Sequence, residues 1–140
     1  MKEEIIFKIA SAESEILTTQ KIRKEIFVKE QGIPEELEID GDDASCIHLL
    51  ALTSNQQIIG TGRLAIHADT GVLSRISVIE AYRNKGIGKH ILIELEKIAR
   101  QKNCNDSLCH LIPTSKSFIK VWDIKKIVEA KWQVNTFYCQ

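Results

Sequence analysis

At 140 residues, with 44% hydrophobic and 27% charged side chains, the chain has the size and composition of one soluble globular domain able to bury a core. Nineteen basic residues balance nineteen acidic ones, so no net field recruits nucleic acid or an anionic membrane, and any anion site must be local. The charged start MKEEIIFKIA has too short an apolar run for a signal peptide and no stretch approaches a membrane span, so the expected setting is the cytoplasm.

Residues 3–10 read as a first strand. Ser11 is placed to cap a helix running to about Glu30, with Glu13 and Glu15 suited to its positive end. Gly32-Ile33-Pro34 stops that helix, and the acidic loop EELEIDGDD follows with no helical stripe of its own. Residues 46–53 and 57–67 look like a hairpin joined by Ser54-Asn55, and residues 71–79 form a further β-branched, alternating strand. Ile87, Ile91, Leu95 and Ile98 then share one face of a helix ending near Asn103, with Glu96 and Arg100 four apart on its wet side. Strands and helices are mixed and a strand feeds directly into a helix, so the fold class is α/β (α+β). Cys46, Cys104, Cys109 and Cys139 show no paired framework and read as reduced thiols. Cys104, Cys109 and His110 fall short of the four well-spaced ligands of structural zinc, so no metal is expected.

The strand-to-helix turn AYRNKGIGKH carries the clearest chemistry. The first amides of a helix lack intrahelical acceptors and sit at its positive pole, and glycine lets an anion approach them. Gly86 and Gly88 clear that approach while Arg83, Lys85 and Lys89 add charge, a combination suited to a pyrophosphate. A Walker A loop would need glycine at 83 and Ser or Thr at 90, where Arg83 and His90 stand. A dinucleotide fingerprint would need a third glycine where Ile91 stands. A plain glycine turn is the competing reading.

Here the chain resembles the GNAT superfamily of N-acetyltransferases. Its loop pattern R/Q-x-x-G-x-G/A is matched by Arg83-Asn84-Lys85-Gly86-Ile87-Gly88, set after a strand and before an amphipathic helix. The N-terminal part is similar to a bacterial subgroup with R-x-x-VF-x-x-EQ-x-x-P-x-x-x-E-x-D, matched by Arg23, Ile26-Phe27, Glu30-Gln31, Pro34, Glu38 and Asp40, followed by His48 and the run GTGRL. The resemblance covers about residues 1–108. It implies a mixed, mostly antiparallel central sheet flanked by helices, with a CoA cleft where central strands splay. It implies acetyl-CoA as cosubstrate and acetyl transfer to a primary amine, on a small molecule or a peptide, without a covalent enzyme intermediate. The amides of residues 84–89 would hold the pyrophosphate, making Arg83, Asn84, Lys85, Gly86, Ile87, Gly88 and Lys89 the cofactor loop. Ile76, Ser77 and Val78 would face the pantetheine arm with their backbone and supply amides to the oxyanion. Glu30, Glu38 and His48, with Asp40, are the candidates for the general base. A solvated acidic loop and a structurally satisfied His48 are the competing readings, and Arg63 and Arg75 either line the acceptor groove or pair with these carboxylates. The resemblance allows a homodimer.

Residues 109–140 depart from the family, which continues with a strand near LNAQ/H and then FY-x-x-x-GF/Y. The chain gives SLCHLIPTSKSFIKVWDIKK, and the family tyrosine that protonates the leaving thiolate has no counterpart, since Tyr138 stands elsewhere. Regrouping plausible codons of SFIKVWDIKK one nucleotide earlier gives FYKSLGYKK, with Trp122-Asp123 yielding glycine in every case. HLIPT likewise becomes LNTH. A one-nucleotide shift near Leu108 or Cys109 accounts for both matches. The apolar residues between Phe118 and Val128 contain neither proline nor glycine, so a helix is expected there. A tail of that origin makes a catalytically impaired acyl-CoA-binding remnant the alternative function.

Overall fold

The computed structural model describes residues 4–39, 41–110 and 118–120. Its centre is one six-stranded sheet in sequence order, with β1 Ile6–Ile9, β2 Ile47–Leu52, β3 Ile58–His67, β4 Thr70–Val78, β5 Asp106–His110 and β6 Phe118–Lys120. Neighbours are antiparallel except β4 and β5, which run parallel because helix α3 (Ile87–Gln101) crosses between them. The mixed, mostly antiparallel sheet flanked by helices is the architecture that the resemblance implies, within the α/β (α+β) class read from the residues.

The first helical stretch ends at Glu30 as the sequence suggests, but its winding changes on the way. Helix α1 spans Glu13–Arg23 and continues as a π-helical segment, Lys24–Glu30. Ser11 does not cap it: Ala12 holds the cap position in extended geometry, and Glu15 accepts from the amides of both Ser11 (3.0 Å) and Ala12 (3.1 Å). One carboxylate thus takes two orphan donors, and the Lys8 ammonium 2.6 Å away completes its set. These bonds, that to Lys8 foremost, hold the Glu15 carboxyl down at about 2. The π turn closes through Gln31 N to Ile26 O (3.1 Å), with Ile26 and Phe27 buried beneath it. Left-handed Gly32 (φ 71°) and then Pro34 end the segment. The acidic loop is partly ordered into a single turn, α2 (Glu35–Glu38), and a 3-10 turn, Asp43–Ser45.

The two faces of the sheet differ in kind. A Cβ at Gly62 would meet Ile91 and Leu95, one at Gly60 would meet Ile91 and Ala51, and one at Gly71 would meet Ala99 and Leu64. These glycines and α3 define an apolar face completed by Ile76, Leu92 and Ile98. The α3 stripe Ile87, Ile91, Leu95, Ile98 is its helical half, as the spacing predicts, and all four are buried. On the opposite face, β2, β3 and β4 meet α1 and the acidic turns through His48, Arg63, Ser74 and Arg75.

The expectation of a helix beyond Phe118 fails for its first residues. Phe118–Lys120 pairs antiparallel with β5, registering Leu108 against Lys120 and His110 against Phe118. The open backbone edge of β5 offers hydrogen bonds that a short aromatic and β-branched segment takes readily. The remainder of that expectation, from 121 to 128, and Asp40 lie outside the described residues.

Candidate functional site

The site grows from an irregularity in β4. Pairing with β3 runs regularly from His67↔Thr70 to Arg63↔Ser74, then resumes at Thr61↔Ser77, so β4 carries an extra residue there. Arg75 absorbs it in a left-handed conformation (φ 56°), which is uncommon for a side-chain-bearing residue. The bulge reverses the alternation of side chains: Gly71 and Ile76 face α3 although their numbers differ in parity. Ser74 and Arg75 both turn to the α1 face. The β4–β5 pairing meanwhile stops at Leu73↔Cys109, so among the described residues 74–78 run without a strand on that side. A bulged strand with an open edge, directly before a helix N-terminus, is a place where an extended ligand can add backbone-style hydrogen bonds.

The loop after β4 leads to that N-terminus. Asn84 (φ 64°) and Gly86 (φ 78°) are both left-handed, curling the chain so that α3 starts at Ile87. The first intrahelical bond is His90 N to Gly86 O (3.1 Å), no side chain caps the helix, and the amides of Ile87, Gly88 and Lys89 have no intrahelical acceptor. A Cβ at Gly86 would meet nothing within 4 Å, so the backbone conformation, and no packing demand, calls for glycine. Lys89 is exposed, and the Lys85 ammonium sits 5.1 Å from the centre of the Tyr82 ring. Arg83 is committed differently from its neighbours. Its Nε donates to the Val78 carbonyl (2.8 Å), and its Nη2 lies 2.9 Å from Glu30 Oε2, tying loop, strand and π-helical segment together.

The three base candidates among the described residues occupy two environments. Glu38 and His48 lie in the buried ionic layer of the α1 face, whereas Glu30 stands at the Arg83 latch with its side chain 41% exposed. Arg23 organises the layer: Nε donates to Glu38 Oε1 (2.6 Å) and Nη1 to Asp43 Oδ1 (2.9 Å), while Gln20 Nε2 donates to Asp43 Oδ2 (2.9 Å). Arg63 joins through Asp43 Oδ1 (3.1 Å) and Ser74 Oγ (3.3 Å), and Arg75 through the Glu38 carbonyl (3.1 Å) and carboxylate (3.4 Å). Burial alone would raise the Asp43 carboxyl, but the Arg23 charge and its hydrogen bonds from Arg23, Gln20 and Arg63 outweigh that and hold it well below the usual carboxylate range. Burial pushes the His48 imidazole below its ordinary value, against the opposing bond between Nε2 and the Asp43 carbonyl (2.8 Å). A neutral ring donating from Nε2 to that carbonyl fits both observations.

Sequence reasoning singled out neither the bulge nor Asp43. Arginine has no left-handed preference to betray the first. The second sits in an acidic run whose Glu35 and Glu36 are exposed, and nothing in the run itself marks Glu38 and Asp43 as the members that turn inward.

Comparison with known proteins places this geometry. The model of the acetyltransferase (GNAT) family matches residues 14–121. A provisionally assigned acetyltransferase of Bacillus subtilis (strain 168) is 37% identical over 106 residues, covering 74% of this chain and 71% of the relative. The uncharacterized N-acetyltransferase YjcF of the same organism is 35% identical over 91 residues, 65% of this chain and 64% of its own length. An acyl-CoA N-acyltransferase from Pseudomonas aeruginosa shares the fold at a TM-score of 0.68 and 22% identity, over 76% of this chain and 78% of that one. A GNAT family acetyltransferase from Elizabethkingia anophelis, solved with acetyl-CoA bound, superposes at a TM-score of 0.59 with 25% identity, over 77% of this chain and 65% of that one.

Proposed function

The chain belongs to the GNAT acetyltransferase family, and from that premise we propose that it transfers the acetyl group of acetyl-CoA to a primary amine through the cleft beside β4. The observation that carries this reading is the juxtaposition of an open, bulged β4 edge with uncapped amides at the start of α3. The pyrophosphate lies against the amides of Ile87, Gly88 and Lys89, with Lys85 and Lys89 contributing charge and left-handed Asn84 and Gly86 shaping the turn. Arg83 serves this loop as a latch on Val78 and Glu30. The pantetheine arm lies along Ile76, Ser77 and Val78, which brings the thioester to the bulge.

The amine attacks the thioester carbonyl, its carbon–nitrogen bond forms as the carbonyl electrons move to oxygen, and backbone amides at the bulge hold the oxyanion. Collapse breaks the carbon–sulfur bond and CoA departs as thiolate. The attacking amine loses its proton to Glu30, directly or through water, because Glu30 is the candidate that solvent and substrate can reach. Glu38 and His48 act as positioning groups: Glu38 fixes Arg75 and hence the bulge, and His48 fixes the Asp43 turn. No helix among the described residues is long and apolar enough to cross a membrane. The reading sets the enzyme in the reducing cytoplasm.

A second reading follows from the tail. The chain after Leu108 lacks the family's LNAQ/H and FY-x-x-x-GF/Y segments. We propose that a one-nucleotide shift near Leu108 or Cys109 replaced the segment carrying the family's thiolate-protonating tyrosine, leaving an acyl-CoA binder with impaired turnover. The codons for residues 110–126 test the shift directly: unless they spell LNTH and FYKSLGYKK in the neighbouring frame, it is abandoned. Calorimetric titration with acetyl-CoA, followed by CoA release with a panel of amines, tests the function. Binding with turnover supports the enzyme, binding without turnover supports the remnant, and no binding removes both. Gly86→Val should cost about tenfold or more in acetyl-CoA affinity, because it puts a branched residue at φ 78° and a side chain over the approach to the α3 amides.

A further inference from the structure

The edge of a sheet invites pairing with another chain, and proteins ordinarily blunt it with proline, a bulge or an unpaired charge. β1 is an outer strand, and among the described residues no strand pairs with its outer side. Its sequence IFKI has no proline, its register with β2 runs without a shift, and its one charge, Lys8, is held 2.6 Å from Glu15 of the same chain. Ile6 and Ile9 are 48% and 47% exposed. The edge is open, regular and largely apolar.

The ladder decides what that edge offers. The Ala10 N–H donates to the His48 carbonyl (2.8 Å), so by the alternation of an antiparallel pair Ile6 and Lys8 also turn their backbone groups to β2. Ile5, Phe7 and Ile9 turn theirs outward. Side chains divide by the same period of two. Phe7 packs on the α3 side, stacked on His90 with ring centroids 4.2 Å apart, and Lys8 reaches Glu15 on the α1 side, which Glu4 and Ile6 share.

We propose that this edge is a dimer interface, at which β1 of a second copy pairs antiparallel about a twofold axis through Ile6. A twofold perpendicular to the sheet keeps every side chain on its own face, so directly opposed residues have the same parity. Centred on Ile6, the pairing sets Glu4 against the partner's Lys8 at both ends, Ile5 against the partner's Phe7, and Ile6 against its own copy. Ile5 and Phe7 carry outward backbone groups, so they exchange N–H to carbonyl bonds across the axis. Opposite charges and an aromatic facing a β-branched residue are favourable cross-strand pairs. The neighbouring registers lose this match: centred on Phe7, Glu4 meets Ala10 and Lys8 meets Ile6, and centred on Ile5, Glu4 meets Ile6. Lys8 has donors to spare for a second carboxylate, since its side chain is 47% exposed beside Glu15. An unrelated strand would gain the backbone bonds without the matching charges, whereas β1 is its own complement. The interface lies three strands from β4, so the cleft stays open in both copies.

Sedimentation velocity of the 140-residue chain over a range of concentrations reads the association, and no ligand is needed, so the result is independent of the acetyl-transfer reading. The wild type should dimerise. Glu4→Lys opposes like charges at both ends and should weaken the dimer about tenfold, and Lys8→Glu does the same with the other sign. An equal mixture of these two variants restores opposite charges at both ends, and a heterodimer should form at close to the wild-type affinity. Ile6→Lys, at an exposed position, sets two like charges on the axis and should leave monomer only. Melting temperatures check that each variant folds, and should Lys8→Glu fail through loss of its Glu15 contact, Glu4→Lys and Ile6→Lys decide. A wild type that stays monomeric up to its solubility limit overturns the proposal and leaves the edge to a strand of another protein. A dimer that survives both Glu4→Lys and Ile6→Lys also overturns it, placing the interface elsewhere. A dimer broken by Ile6→Lys but indifferent to Glu4→Lys overturns the register centred on Ile6.

Discussion

The two faces of the sheet solve burial in opposite ways. Toward α3, glycines at 60, 62 and 71 let the sheet approach Ile91, Leu95 and Ala99 closely, and aliphatic side chains make that contact. Toward α1, three arginines, two carboxylates and a histidine are buried within hydrogen-bond distance of one another. An apolar face tolerates volume-conserving exchange and gives stability by area. An ionic one is costly to desolvate and is held by geometry, so it contributes most where position matters. That it holds the β4 bulge is in keeping with this, because the proposed reaction depends on where the bulge amides sit.

The contrast is broken most severely by removing the cation that organises the ionic face. Arg23→Met leaves Glu38 and Asp43 short of their nearest partner inside the protein, and a loss of about 3–5 kcal/mol is expected in denaturant unfolding. On the apolar face, Leu95→Ala deletes atoms that contact the Gly62 site and should cost about 2–5 kcal/mol, depending on how far α3 can settle toward the sheet. The difference shows in rescue. Arg23→Met combined with Glu38→Leu should recover part of the stability and none of the activity, whereas second-site hydrophobic changes around position 95 should recover both. Equal activity in the Arg23/Glu38 double variant would mean that the ionic face has no part in placing the bulge.

Much of the apolar face was legible in the sequence and little of the ionic one. The stripe Ile87, Ile91, Leu95, Ile98 is a periodic signal that one helix carries by itself, and the hairpin of β2 and β3 is signalled by the turn-forming Ser54-Asn55 between two apolar runs. The loop Arg83 to Gly88 was legible because helix starts and glycines have local physics. Arg23, Glu38, Asp43, Arg63 and Arg75 are scattered over some fifty positions, and their association exists only once the strands and the π turn are in register. The same reason hides Arg83's role: as a cation near two glycines it reads as a phosphate ligand, and only the folded chain brings Val78 and Glu30 to it. The π turn has no period that an α-helical pattern would reveal, so in the sequence it is indistinguishable from a continuation of the first helix.

A smaller effect sharpens the part played by Arg75. Its guanidinium is anchored on Glu38 while its own backbone is left-handed, so side chain and bulge are linked. Arg75→Gly keeps the bulge accessible without steric cost but releases the anchor. The expected result is a folded protein with near-native acetyl-CoA affinity and kcat reduced about 10- to 100-fold, since misplacing catalytic groups by about an ångström has that effect. Arg75→Lys, which keeps the charge and loses the fork, should fall between. If affinity drops as far as kcat, the anchor serves binding and the bulge is no oxyanion site.

The smallest effect is a slope of stability with pH, and its sign distinguishes the faces. Burial lowers the His48 pKa in the folded chain, so the folded state favours the neutral ring. Between that lowered value and the unfolded value of about 6.5, the unfolded chain binds more protons, and stability rises with pH. The contribution is complete above about pH 6.5 and is lost as pH falls toward the folded pKa, where a proton must be forced in among Arg23 and Arg63. Asp43 acts in the same direction but in another window: its folded pKa is depressed, so its contribution persists until the solution is far more acidic. Melting temperature should therefore fall between pH 7.5 and 5.5 in roughly the manner of one titrating group. His48→Gln, whose amide can still donate to the Asp43 carbonyl, should flatten that fall. A slope that survives the substitution would place the titrating group elsewhere, and the α1 face would lose its standing as a dry interior that tolerates charge only in fixed pairs.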